Sequence, residues 1–239
     1  MEAAHFEAPA PGGSRPPNPG DPGWRPKPEP IVNAPWPVAA LSLGILAAFA
    51  VQSRFPLDLA AAYLAFSPQD LLHGRYWGLV TSLFAHGNWA HALMNAAFIL
   101  AFGAPVARYF GPKLWGVIGF FAFYFSCGVL ACLGFAALHL LVHPDQPAQL
   151  LGASGAASGL MGGTARLLGG GGQQPGRVFS PQVVSMGGGW VIVNAIMAVA
   201  GGSLIPGAGG AAIGWEAHLA GFAVGVLLIA PFGWAARRG

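Results

Sequence analysis

The sequence predicts an all-α membrane protein, a bundle of six transmembrane helices. Three observations predict it. Of 239 residues, 54% are hydrophobic and only 8% charged, and the mean hydropathy is +0.57; soluble domains carry about 25% charged residues. Six apolar stretches approach the roughly 20 residues that a spanning helix needs. The basic residues fall almost entirely on one side of a six-span layout.

Residues 1–34 are rich in Pro and Gly and nearly free of large apolar side chains. Such a segment cannot bury enough surface to offset its ordering entropy, so it reads as a disordered cytoplasmic tail. Residues 35–239 form the membrane domain. Its first span is 36–52. The stretch 53–87 is too polar to span, and its Tyr76 and Trp77 suit the lipid–water interface. The second span is 89–109, ended by Gly111-Pro112, and the third runs over 113–141, ended by Pro144. The fourth, 154–168, is short and is followed by the glycines 169–172. The fifth is 183–200, and the sixth, 211–235, follows Pro206.

With six spans, Arg15, Arg25, Lys27, Arg108, Lys113, Arg166, Arg177, Arg237 and Arg238 share one side, and only Arg54 and Arg75 face the other. Both termini are therefore expected in the cytoplasm, and the start of the fourth helix toward the outer side. No basic cluster interleaved with aromatics supports nucleic-acid binding. Cys127 and Cys132 lie at i and i+5 of one apolar run and read as buried, unpaired thiols.

Polar chemistry sits in this apolar frame at four places, where it is costly and suggests function. Ser154 lies in Gly152-Ala153-Ser154-Gly155, at a helix start whose free N–H groups suit a developing oxyanion. Serine is a weak nucleophile without a base. His218 shares a helix face with Gly221 and Gly225, while Gly155, Gly159 and Gly163 form a small-residue face on the fourth helix. If the two faces meet, Ser154 and His218 come together as nucleophile and base. His91 and Asn95, at i and i+4, share a third face and can both donate hydrogen bonds to an oxyanion. The alternative is a structural network, and for His86 that reading is preferred. Glu216 is two residues from His218 and points elsewhere. His86 and His91 are five apart and no H-E-x-x-H occurs, so zinc chemistry is disfavoured. Asp58, Asp70 and Asp145 all fall in outer loops, which disfavours an aspartyl mechanism.

The set G-A-S-G at 152–155, A-H-x-x-G-x-x-x-G at 217–225 and His91-x-x-x-Asn95 preceded by His86 resembles the rhomboid intramembrane serine proteases. The resemblance covers roughly 36–236. It implies a Ser–His dyad with Ser154 as nucleophile and His218 as general base and acid. It implies an oxyanion hole of His91, Asn95 and the Ser154 N–H, no metal and no cofactor. It also implies single-span membrane proteins in the bilayer as substrates, cut near the outer boundary. A bacterial inner (plasma) membrane is the expected host. At 158 the chain has Ser where some members carry an aromatic residue.

Two rivals belong to other classes. An inactive rhomboid-like binder or escort of membrane proteins is disfavoured by intact Ser154 and His218. A small transporter would show an internal repeat, and none is visible. A polar cavity lined by Ser154, His218, His91 and Asn95 is expected, open to the outer face. The fifth helix, softened by Gly187, Gly188 and Gly189, and the 201–212 connection are expected to admit the substrate.

Overall fold

A computed structural model of the protein describes residues 34–200 and 214–238, so the expected tail and the 201–212 connection lie outside the described residues. Among the described residues there are nine α-helices and no β-strand. They are α1 (Trp36–Gln52), α2 (Leu57–Leu64), α3 (Pro68–Leu72), α4 (Gly78–Thr81), α5 (Trp89–Phe110), α6 (Leu114–Val142), α7 (Ser154–Leu168), α8 (Pro181–Ala200) and α9 (Trp215–Arg238).

By length and composition, four of these can cross a membrane: α5, α6, α8 and α9. The chain is an integral membrane protein on that ground. The other two expected spans are shorter, with 17 residues in α1 and 15 in α7. The last helix is described from Trp215, and residues 211–213 of the expected sixth span lie outside the described residues.

α7 is the axis of the fold. Twelve of its 15 residues are buried, as expected of a helix ringed by others. Small residues let its neighbours close in. A Cβ on Gly159 would strike Cys127 of α6, and one on Gly162 would strike the Phe222 carbonyl of α9. Thr164 donates to the Phe102 carbonyl of α5 at 2.7 Å. α1 packs Val38, Leu41, Ile45 and Phe49 inward, a helical spacing, and Ser42 donates to the Ala96 carbonyl of α5. Cys127 and Cys132 are both buried and free.

The segment between α1 and α5 folds into the three short helices α2, α3 and α4. Its Phe55, Tyr63, Leu72, Tyr76 and Trp77 are exposed, a composition suited to a lipid interface. It is tied to the α6–α7 connection by paired backbone bonds between Phe66 and Leu150, at 3.0 and 2.8 Å. Arg75 pairs with Asp70 within it.

α8 differs from the rest. Over 181–199 only Val183 and Asn194 are buried. The helix runs unbroken through Gly187, Gly188 and Gly189, with Gly187 turned to the Phe222 ring.

Candidate active site

Ser154 is the first residue of α7 and is half-buried. No side chain caps this helix, so its first N–H groups have no partner within it. The approach to Ser154 is set by Gly152, whose φ of +114° favours glycine. Gly152 also has no room for a side chain: a Cβ there would lie 2.8 Å from the His91 ring and 3.5 Å from the Asn95 amide nitrogen. Its N–H donates to the Ser82 carbonyl at 2.9 Å. The turn before Ser154 is thus pressed onto the start of α5.

The glycine faces of α7 and α9 do meet. A Cβ on Gly221 would fall on the Gly155 carbonyl, and one on Gly225 on the Gly159 carbonyl. With the backbones this close, Ser154 Oγ and His218 Nε2 are 2.8 Å apart. His218 is 8% exposed. Its other nitrogen, Nδ1, lies 2.7 Å from Asn194 Oδ1 of α8. The Trp190 ring, one turn before Asn194, sits beside the imidazole with centroids 5.8 Å apart.

Asn88 accepts the His91 N–H at 2.8 Å and so starts α5. Asn95 is 3% exposed and donates one amide hydrogen to the His91 carbonyl at 3.1 Å, leaving its second for another acceptor. His86 is fully buried and lies edge-on to His91, with ring centroids 5.0 Å apart. Gln52 at the end of α1 clamps its backbone: Nε2 donates to the His86 carbonyl at 2.7 Å, and Oε1 accepts the His86 N–H at 3.0 Å. His86 precedes α5, and burial pushes its imidazole down to about 4, with His91 adding to the effect.

Ser158, also in the glycine motif, donates its hydroxyl to the Ser154 carbonyl at 2.7 Å and is fully buried. Glu216 is half-buried at the start of α9. Among the described residues no three His, Cys, Asp or Glu side chains gather as a metal site would need.

The cavity found beside Ser154 is not the one expected. It is about 10 Å³ and is walled by Ser82, Leu83, Gly128, Cys132 and Leu150 among others. His218, His91 and Asn95 are not among its walls. The sequence reading also overlooked Asn194, Trp190 and Gln52. Asn194 carried a signal, a lone carboxamide in an apolar span, of the kind that marks function in membranes.

Residues 73–235, more than half of the chain, match the family model of the rhomboid domain. An uncharacterised mitochondrial rhomboid protein of Schizosaccharomyces pombe is 33% identical over 94 residues. That alignment takes in 39% of this chain and only 21% of the relative. Its mitochondrial name gives the bacterial host membrane no support. Rhomboid proteins are in general intramembrane serine proteases acting on membrane proteins in the bilayer, although many are inactive. On the extent of the domain match, the chain belongs to the rhomboid family.

Proposed function

We propose that the chain is a serine endopeptidase that cuts transmembrane-anchored proteins near the outer membrane boundary, through a dyad of Ser154 and His218. The observation that carries this reading is the 2.8 Å contact between Ser154 Oγ and His218 Nε2. At that distance the imidazole can take the hydroxyl proton while Oγ attacks the scissile carbonyl carbon. The carbonyl oxygen becomes an oxyanion. The Ser154 N–H and the side chains of His91 and Asn95 are the donors we assign to it. His218 then passes its proton to the leaving amine, and an acyl ester remains on Ser154. Water, deprotonated by His218, attacks the ester carbonyl, and His218 returns that proton to Ser154 Oγ as the ester bond breaks and the serine is freed.

Counting α1 and α7 as spans gives a six-span domain over 35–239 with both termini cytoplasmic. A helix of 15 residues is about 22 Å long, less than the roughly 30 Å hydrocarbon core. Ser154 at its outer end would therefore sit below the boundary, where single-span substrates pass. The deciding experiment is cleavage of a single-span test substrate in liposomes by the wild type and by Ser154→Ala. Cleavage and labelling by a serine-reactive fluorophosphonate should occur with the wild type and vanish in the variant. Equal turnover by both proteins would refute the assignment.

A further inference from the structure

Asn194 is 1% exposed on a helix that is otherwise largely exposed, so its burial calls for a partner of matching chemistry. Its two polar atoms can be told apart by what they face. One lies 2.8 Å from the Trp190 carbonyl, which can only accept, so that atom is the Nδ2 donor. The atom 2.7 Å from His218 Nδ1 is then Oδ1, which can only accept. The Nδ1 of His218 must therefore carry a proton. A neutral imidazole has a single N–H, so Nε2 is left with its lone pair directed at Ser154 Oγ, 2.8 Å away. That tautomer is the one a general base needs. With no acceptor at Nδ1, the ring is free to hold its proton on Nε2, where it cannot take another from serine.

We propose that Asn194 is a positioning residue for the reaction, which fixes the tautomer and orientation of His218 from α8 and makes the dyad a Ser154–His218–Asn194 array. The inference rests on the dyad reading above. The roles parallel those of Cys-His-Asn proteases, where a neutral amide orients the histidine. Here the orienting group comes from a different helix than either partner, twenty-four positions before the histidine in sequence. Trp190 completes the arrangement: its carbonyl sets the amide orientation and its ring lies beside the imidazole.

The test compares Asn194→Leu and Asn194→Asp with the wild type, scoring kcat, KM and thermal unfolding in the same detergent. The Leu variant keeps the branched outline of the side chain but removes the acceptor. Its kcat should fall on the order of 10²-fold while KM and unfolding stay near wild type, and the Asp variant should stay within about tenfold because an acceptor remains. A purely packing role predicts the opposite order, since Leu suits an apolar helix and a carboxylate does not. A Leu variant at wild-type kcat, or an Asp variant as impaired as Leu, overturns the proposal. If the Leu variant does not fold, nitrogen-15 NMR of the histidine-labelled wild type decides. A proton on Nδ1 of His218 with Nε2 bare supports the proposal, and the reverse overturns it. Ser154→Ala is run alongside. An active Ser154→Ala defeats the dyad reading, whereas an inactive one beside a fully active Asn194→Leu defeats only the role of Asn194.

Discussion

Gly221 of α9 lies so close to Gly155 of α7 that a methyl group on it would overlap the Gly155 carbonyl. Gly155 follows Ser154, and Gly221 is three residues past His218, so this contact sets the spacing of the two side chains. Gly221→Ala must push the helices apart. Overpacking of this kind costs about 1–3 kcal/mol. The substitution should lower the unfolding temperature and reduce cleavage by more than the fraction of folded protein lost. Thermal unfolding and specific activity of the same preparation would check it, and Gly225→Ala should behave alike, because its methyl would overlap the Gly159 carbonyl.

Ser158→Ala should keep substantial activity. The Ser158 hydroxyl is spent on the carbonyl of its own preceding turn, at 2.7 Å, and is fully buried. Its loss removes a helix-internal bond and leaves Ser154 in place. Activity as low as that of Ser154→Ala would mean that Ser158, not Ser154, attacks the substrate.

His218→Ala should be as inactive as Ser154→Ala, and the double variant no worse. Groups that act as one unit give non-additive losses. Rates measured in liposomes for the three proteins would expose a second base if His218→Ala kept more than a few per cent of turnover.

Asn95→Ala should reduce kcat on the order of 10²-fold with little change in KM, as for loss of one oxyanion donor. Asn95 is buried and also bonds the His91 carbonyl, so unfolding is measured in parallel. An unchanged kcat would remove Asn95 from the site.

Gln52→Leu should destabilise the protein by about 2–3 kcal/mol, because two buried backbone groups lose their partner. Both bonds go to His86, at 2.7 and 3.0 Å. His86 stacks edge-on against His91. The variant should therefore also lose some activity even at temperatures where it is folded, and a fully active variant would show that this clamp does not steady the site.

Much of this arrangement was legible in the sequence, for reasons that differ between residues. α1 and α7 begin and end where the apolar runs do, because Pro35 and Pro37 start one and glycines bracket the other. The meeting of the α7 and α9 glycine faces followed from small residues spaced four apart. Asn194 could be seen as a polar residue in an apolar span, but its partner is fixed only by how α8 docks on α9. The helices α2, α3 and α4 have 8, 5 and 4 residues, too few for a periodic signal. The cavity walls come from four separate parts of the chain, and no local pattern specifies their convergence.

A hydrolase embedded in a bilayer is dissolved in a sea of glycerol esters, each carrying a carbonyl that an activated serine could attack. α7 answers this problem through its burial: twelve of its 15 residues face protein. Of the four long helices α8 is the least buried, with only Val183 and Asn194 buried over 181–199. On the reading proposed above, a substrate helix laid against α8 would gain contacts there that a phospholipid would not. On that same dyad reading, the packing that places Ser154 would favour a polypeptide over a lipid ester as its partner.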